Sequence, residues 1–340
     1  MNNLLTKMVT SIEDNNVNKT LCNDDYQDIS SSTAITAILT TVSVLGFLAN
    51  LVTLAILILY KKDFPDVGRI LLKNQAISDA FVCIMAIGLI IQTFRWTTGF
   101  KLFDFILCQV WHSQALFWGG VHLSIWNLVC IAVERFIKVS YPFKYLSIQQ
   151  HHIYIACVAI YLSSVVFTIP CYFQSRYDFD AEKCSDQYYF LTDSFDYLMA
   201  HYGIFWFVME YAIPTACFIV LYAKVLWDIR KHKKVMKEVR HLSKQKKNDK
   251  CTLTLADRQL TTTSIIVTTV FIITLGVESW RYFLGRIGII CYKKNMLQLI
   301  FGIFLASINS CANPFIYTMS LPIFRKCLKQ FFKVSSPSNS

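Results

Sequence analysis

An acid and a base stand side by side in an apolar run of the chain, "NLVCIAVERFIKVSYPFKY", which extends from Asn127 to Tyr145. Glu134 and Arg135 end a stretch that is hydrophobic enough for lipid, and more apolar residues follow within one helical turn. A carboxylate and a guanidinium are costly to bury unless each has a partner. The two side chains are therefore expected to pair with each other or with a third group, in the simplest case as a static ion pair at a membrane interface.

Other polar residues interrupt apolar stretches far from each other in the chain. They are Asn50 in "GFLANLV", Asp79 in "NQAISDAF", Ser124 and Asn127, and Asn309, Ser310, Asn313, Pro314 and Tyr317 in "SINSCANPFIY". One carboxylate with several hydroxyl and amide oxygens can be satisfied internally, or it can bind a small hard cation together with water. Each residue alone would be expected to join two helices. Together they predict one buried cluster.

The composition shows which elements must position these residues. The chain has 340 residues, of which 54% are hydrophobic and 16% are charged, too apolar for a soluble protein of this length. A spanning helix needs roughly 20 mostly apolar residues. Seven such windows are predicted, at Ala34–Tyr60, Ile70–Phe94, Phe105–Val139, Ile153–Pro170, Met199–Trp227, Leu260–Leu284 and Asn295–Ser320.

The distribution of lysine and arginine predicts the orientation. The segments after spans one, three, five and seven are basic, whereas the amino terminus and the segment after span four are acidic. Basic loops stay in the cytoplasm, so we expect a plasma-membrane protein with the N-terminus outside and the C-terminus inside. Much of the net charge of +11 then reports topology, and no nucleic-acid partner is expected.

Residues 1–33 lack the apolar core of a cleavable signal peptide. The basic, helix-patterned stretch Lys224–Arg258 suggests that span five continues into the cytosol, where it can contact anionic lipid or a partner protein.

The order and spacing of these motifs resemble the rhodopsin-like family of G-protein-coupled receptors, including its invertebrate orphan and neuropeptide receptors. The resemblance covers about Ala34 to Phe332 and rests on "GFLAN", "NQAISD", Cys108, "ERF" with "YPFKY", Pro214 with Tyr222, and "NPFIY" followed by "LPIFRKCLKQFF". It implies an all-α membrane protein, a seven-transmembrane helix bundle with a short amphipathic eighth helix. The implied domains are an extracellular segment 1–33, the receptor domain 34–320, a surface helix 321–332 and a cytoplasmic tail 333–340.

The same resemblance assigns roles to residues. In such receptors the acid–arginine pair, here Glu134 and Arg135, holds the resting state until the arginine meets a heterotrimeric G protein. The other residues implied in this switch are Asp257, Tyr222, Phe271, Asn313, Pro314 and Tyr317. The residues that match the family's allosteric sodium pocket are Asp79, Ser124, Asn309 and Ser310.

Three features depart from the family pattern. Leu275 and Val277 stand where the sixth helix usually has an aromatic residue and a proline, and Gly276 is a candidate for part of the missing kink. The tryptophan of the fourth helix is absent near Ile160 and Tyr161. The separation of Cys108 from Arg135 is slightly longer than usual.

The ligand is expected to be a basic or amidated neuropeptide. Amine receptors carry a carboxylate in the third helix where this chain has Phe117, and retinal proteins need a lysine in span seven, which has none. The charged residues near the expected pocket are Glu210, Glu278 and Arg281. Glu278 and Arg281 are three apart and share a helix face, so pairing with each other is as good an interpretation as ligand binding. A small-molecule or chemosensory ligand is the alternative.

Modification sites and rival functions complete the sequence expectations. A Cys108–Cys184 disulfide is favoured, and a Cys22–Cys291 bridge is a weaker option. The glycosylation acceptor is Asn18, and Cys327 is a candidate for palmitoylation, with an unmodified cysteine at the bilayer surface as the alternative. A transporter would show repeat symmetry, and an enzyme would show a nucleophile elbow, a P-loop or an HExxH motif. None is visible in the sequence, so neither activity is expected.

Overall fold

A computed structural model describes residues 33–92, 98–172, 176–185, 201–242, 255–287, 289–290 and 296–334. Seven helical segments of this part of the chain are long and apolar enough to cross a membrane, which confirms the predicted seven-helix architecture. The helices are α1 (Thr33–Leu59), α2 (Asp66–Gln92), α3 (Ala115–Ser140), α4 (Gln150–Tyr172), α5 (Ile213–Leu242), α6 (Leu255–Arg286), α7 (Met296–Ser320) and the amphipathic α8 (Pro322–Val334).

The third and fifth spans contain wide turns that hydropathy did not predict. The third span, Lys101–Ser140, begins with a short helix at Lys101–Ile106 and passes through a π-helical segment at Leu107–His112. Gln114 then adopts a left-handed conformation with φ 58° before α3 starts. A π turn holds one more residue than an α turn. This segment therefore absorbs the extra length between Cys108 and Arg135. The fifth span, His201–Lys231, has a second π turn at Val208–Ala212.

A small hairpin lies at one end of the bundle. Strands β1 (Arg176–Asp178) and β2 (Lys183–Ser185) pair antiparallel, with Tyr177 opposite Cys184. Cys184 forms a disulfide with Cys108 of the π segment, with their Cα atoms 5.5 Å apart. The bond joins the pair that the sequence favoured and fixes the hairpin to the start of the third span. We call this end of the bundle the hairpin end and the opposite end, which carries Arg135, the arginine end.

Helix α3 occupies the centre of the bundle. It packs against α2, α4, α5 and α6, while α1 packs against α2 and α7. In the most apolar window of each span, 72% of the residues are buried in the third span and 28% in the fourth and fifth. The exposed faces are apolar, as lipid contact requires; α4 presents Ile155, Val158, Leu162, Val165 and Val166. Polar groups placed on α3 are therefore shielded from both lipid and bulk water.

Helix α5 continues beyond its apolar spanning segment, and α8 follows the seventh span. α5 continues to Leu242, beyond the spanning segment that ends at Lys231. α8 follows α7 after one residue, Leu321, and the side chains of Leu321, Phe324 and Cys327 are buried against the bundle. The side chain of Phe324 packs on Tyr317 with ring centroids 6.1 Å apart. This contact holds the amphipathic helix against the arginine end.

Candidate functional site

The buried polar cluster forms around Asp79 of α2. Its carboxylate is fully buried and accepts hydrogen bonds from Ser124 Oγ at 2.7 Å and from Asn313 Nδ2 at 2.6 Å. These donors lie on α3 and α7, so one carboxylate connects three helices. A carboxylate surrounded by donors is in the arrangement that its ionised, acceptor-only form needs.

Gln75 belongs to this cluster, although the sequence interpretation did not single it out. It lies one turn before Asp79 on the same helix face, and its Nε2 is 3.2 and 3.1 Å from the two Asp79 oxygens. The same nitrogen donates to Ser124 Oγ at 2.7 Å. Its four-residue spacing from Asp79 was the signal that could have identified it.

The other predicted cation ligands are also in this region. Ser310 faces the Asp79 carboxylate from α7, and Asn309 is buried beside it in the sequence. Asn50 of α1 donates through Nδ2 to the backbone carbonyl of Ser310 at 3.1 Å. One cluster between α1, α2, α3 and α7 thus connects six of the predicted polar residues, which are Asn50, Asp79, Ser124, Asn127, Ser310 and Asn313. Tyr317 lies in the cavity beside Arg135. Sodium binding there stays a prediction.

The arginine end holds the acid–base pair of the opening motif. Arg135 Nε lies 3.0 Å from Glu134 Oε2, and both side chains are 3% exposed. Tyr145, in the one-turn helix Pro142–Tyr145, donates to Glu134 Oε1 at 2.7 Å. At Gly68 of α2, a Cβ atom would lie 2.9 Å from Arg135 Nη2, so a glycine there allows the guanidinium to pack against the backbone. The pair is buried and held from two sides.

Two of the other predicted switch residues, Tyr222 and Tyr317, lie beside the arginine. A small cavity is lined by Arg135, Tyr222 of α5 and Tyr317 of α7, together with residues of α6. Phe271 is fully buried on α6 and meets Phe218 of α5 edge to face at 5.4 Å. Asp257 lies in α6, but its side chain is outside the described part. The helix positions fit a shared site, and the roles of these residues in activation stay predictions.

At mid-bundle, Glu210 forms a buried pair that the sequence did not indicate. Its Oε1 lies 2.5 Å from His122 Nδ1, and both side chains are almost fully buried. The other ring nitrogen of His122 is 2.9 Å from Ser163 Oγ, and Ser163 donates its proton to the carbonyl of Ile160. His122 Nε2 must therefore donate to Ser163. Glu210 thus joins α3, α4 and the fifth span rather than standing alone in an open pocket.

The remaining ligand candidates have different settings. Phe117 is 1% exposed and packs edge to face against Trp118. Glu278 of α6 is 5% exposed, and its carboxyl group lies against Gly302 of α7. Arg281 Nη2 is 3.8 Å from Glu278 Oε2, and its guanidinium lies 5.4 Å from the ring of Phe301. Glu278 and Arg281 are thus neighbours, as the pairing interpretation predicts. Because Glu278 also lies between α6 and α7 at the hairpin end, this contact is compatible with ligand binding.

The comparisons with known proteins agree with this geometry. A family model described as "7 transmembrane receptor (rhodopsin family)" matches residues 49–317, which is most of the chain. The chain belongs to this receptor family. The region matched includes the Asp79 cluster, the Glu134–Arg135 pair and the switch residues of α7.

Curated relatives of this receptor share about a quarter of its residues. Rhodopsin of Sminthopsis crassicaudata is 26% identical over 84% of this chain and 77% of its own length. The blue-sensitive opsin of Carassius auratus is 22% identical over 83% and 76%. Proteinase-activated receptor 1 of Xenopus laevis is 24% identical over 90% and 69%. The receptor is therefore a multi-pass plasma-membrane signalling protein that responds to an extracellular ligand and couples to a G protein, and it is not an enzyme.

Where this receptor departs from the family in α6, Gly276 lies against Tyr211 of the fifth span. α6 is helical throughout, and a Cβ atom at Gly276 would lie 2.6 Å from Tyr211 Oη. Tyr211 comes from the π turn of the fifth span and donates to the carbonyl of Ile272 at 3.4 Å. Leu275 is buried and Val277 is exposed. Gly276 therefore serves as a docking point for Tyr211, a role that the sequence did not suggest.

The predicted modification sites are only partly in the described region. Asn18, Cys22 and Cys291 lie outside it. Cys327 is fully buried, with its Sγ 3.9 Å from Asp63 Oδ2, and burial raises the pKa of its thiol. A thiol attacks as the thiolate, so acylation requires this side chain to turn out of the bundle. Palmitoylation of Cys327 stays a prediction.

Proposed function

We propose that this receptor recognises a basic or amidated peptide at the hairpin end, which faces the outside of the cell, and passes the signal to a G protein at the arginine end. The orientation is supported by the lysine and arginine content of the connections at the arginine end and of the residues after α7. In this arrangement residues 1–33 are extracellular, residues 34–320 form the receptor domain, residues 321–332 lie on the membrane surface and residues 333–340 are cytoplasmic.

The placement of Glu278 carries the proposal for the ligand. Its carboxylate is buried between α6 and α7 at the hairpin end, and Arg281 Nη2 lies 3.8 Å from its Oε2. An ionised carboxylate has about four acceptor positions. In the proposed complex the negative charge of Glu278 attracts the cationic group of the ligand, with Arg281 as its neighbour.

Aromatic side chains at the same end favour the same ligand class. Trp118 of α3, Trp206 of the fifth span and Tyr282 of α6 form a chain of edge-to-face contacts with ring centroids 5.4 and 5.3 Å apart. Aromatic faces attract ammonium and guanidinium groups and also bury apolar side chains. A peptide that carries both kinds of group suits this surface better than a small neutral molecule.

At the arginine end, the proposed output is the release of Arg135. The resting state holds the guanidinium next to Glu134 in a cavity shared with Tyr222 and Tyr317. A ligand that binds a second arrangement of the helices more tightly shifts the population toward it. Arg135 and Asp257 are then available to respond to the G protein.

The test is a G-protein activation assay in cells that express the receptor, with a library of basic, amidated and neutral peptides. For a cationic agonist, Glu278→Gln should lower potency by about tenfold or more, because a charge-assisted contact is lost. A neutral agonist should lose much less. The matched control is Glu182→Gln, which removes an exposed hairpin carboxylate that pairs with Lys101.

Two outcomes would contradict the proposal. Equal losses for cationic and neutral agonists would show that Glu278 is structural. Activation by small organic compounds, with no response to any peptide, would favour the small-molecule or chemosensory alternative.

A further inference from the structure

The amide nitrogen of Gln75 lies where a cation would have to sit. Three oxygens surround it: both carboxylate oxygens of Asp79, at 3.2 and 3.1 Å, and Ser124 Oγ at 2.7 Å. All three side chains are 1% exposed or less. The amide carries two N–H groups, so one is shared by the carboxylate and the other points to the serine.

Neighbouring residues fix the direction of this amide. The carbonyl of Leu71 can only accept, so the group of Asn127 that lies 3.0 Å from it must be the NH₂ group. The same Nδ2 lies 2.8 Å from the other end of the Gln75 amide, which must therefore be the oxygen. This chemistry leaves only the Gln75 nitrogen to face Asp79, so the assignment does not depend on how the two ends of an amide were first placed.

Two further hydrogen bonds fix the orientation of the Asn127 amide, and through it that of Gln75. Asn74 donates to Asn127 Oδ1 at 2.9 Å, and Tyr161 donates to Asn74 Oδ1 at 3.1 Å. Rotation of the Gln75 amide would place two NH₂ groups against each other and break the order of donors. The amide is therefore a fixed part of the site.

The donors leave little lone-pair capacity for an ion. Asp79 Oδ1 accepts from Ser124 and Gln75, and Oδ2 accepts from Gln75 and Asn313. A hard cation needs these same oxygen lone pairs as ligands, and the positive ends of the N–H groups repel it. The residues predicted to bind sodium are thus present, but a fifth side chain occupies the position among them.

We infer that Gln75 is a built-in neutral substitute for the cation, which makes this receptor insensitive to sodium, and that Gln75 alone decides this property. The amide supplies the donors that stabilise a buried Asp79 carboxylate without an ion. The inference concerns the Asp79 cluster and does not depend on the nature of the ligand.

The test measures the midpoint of thermal unfolding of the purified full-length receptor in sodium chloride and in choline chloride of equal ionic strength. The wild type should give the same midpoint in both salts. Gln75→Leu removes the donors and exposes the Asp79 and Ser124 oxygens, so it should gain a higher midpoint in sodium. That gain should disappear in Gln75→Leu combined with Asp79→Asn, because the charge that attracts the ion is gone.

Asn74→Leu is the matched control. Asn74 is a buried amide in the neighbouring position that contacts Asn127 and Tyr161. The Leu71 carbonyl still orients Asn127, and through it Gln75, when Asn74 is replaced, so the variant should stay insensitive to sodium. If Gln75→Leu fails to fold, Gln75→Met fills more of the volume and serves in its place, and the wild-type measurement remains decisive. A wild-type midpoint that rises specifically in sodium and loses that rise in Asp79→Asn would overturn the inference. So would a folded Gln75→Leu variant without any response to sodium.

Discussion

At the residue scale, the proton shared by His122 and Glu210 determines how strongly the removal of either side chain destabilises the receptor. His122 donates through Nε2 to Ser163, so its Nδ1 either donates to an ionised Glu210 or accepts from a protonated one. Either way the pair as a whole is neutral and shares one proton. A histidine left alone can be neutral, whereas a glutamate left alone must bury a charge or bind a proton.

Removing His122 should therefore destabilise the receptor strongly. Breaking a buried pair by removal of one partner costs roughly 3–5 kcal/mol of unfolding free energy. We expect His122→Leu to lie in this range and Glu210→Gln to cost clearly less. The double variant His122→Leu, Glu210→Leu should lose less than the sum of the two leucine variants, because no charge remains unpaired. Thermal unfolding followed by tryptophan fluorescence measures these differences, and additive losses would show that the two side chains act independently.

The sequence predicted individual polar residues better than their partners. Asp79, Glu134 and Glu210 were recognisable because a charged side chain in an apolar segment needs an explanation. Their partners depend on packing: His122 is 88 positions from Glu210, and Asn313 is 234 from Asp79. Gln75 was overlooked because an uncharged amide needs no charged partner, and its one signal was the four-residue spacing from Asp79. Glu134 and Arg135 were the exception, since the two partners are adjacent in the chain.

At the element scale, hydropathy predicts helices but not their local irregularities. The seven spans were predictable because each must satisfy its backbone hydrogen bonds inside lipid, which requires a long apolar helix. The wide turns at Leu107–His112 and Val208–Ala212 have apolar sequences like their surroundings. The β1–β2 hairpin has three-residue strands that depend on the Cys108–Cys184 disulfide for their position. These features arise from tertiary contacts, and the sequence pattern does not encode them locally.

The contact of Tyr211 with α6 predicts that Gly276→Ala destabilises the receptor, whereas a glycine-to-alanine change inside a helix usually stabilises a protein. Glycine is about 1 kcal/mol less favourable than alanine inside a helix, so Gly276→Ala would stabilise a helix without this contact. Here the new methyl group would overlap Tyr211, whose ring is packed against Phe207 and Trp280, and overpacking costs about 1–3 kcal/mol. We expect a lower midpoint of thermal unfolding for Gly276→Ala.

Tyr211→Phe provides the matched partner for this substitution. It removes the hydroxyl oxygen that would lie 2.6 Å from the added methyl group. The combination of Tyr211→Phe with Gly276→Ala should therefore be more stable than Gly276→Ala alone. A stabilised Gly276→Ala receptor would show that Tyr211 does not dock on α6.

At the scale of the whole molecule, α3 connects the proposed ligand end with the proposed G-protein end. It carries Trp118 in the aromatic chain, His122 in the buried pair, Ser124 at Asp79 and Arg135 in the ion pair. Because α3 is buried on most sides, a change of helix packing at one end must be accommodated by its contacts along the whole length. In the proposed mechanism these contacts hold the resting state at several levels of α3, and the Arg135 cavity is where the G protein binds after the change.

Arg135→Ala tests this central claim most directly. The measurement is agonist-driven nucleotide exchange on a purified heterotrimeric G protein by the reconstituted receptor, with an agonist from the peptide library. Lys138→Ala is the matched control, because Lys138 is a basic residue at the same end of α3 whose ammonium group lies 5.3 Å from the centroid of the Tyr145 ring. With equal amounts of folded receptor, the account predicts a response lost in Arg135→Ala and preserved in Lys138→Ala. A response of Arg135→Ala equal to that of the wild type would contradict the assignment of the Glu134–Arg135 pair as the switch.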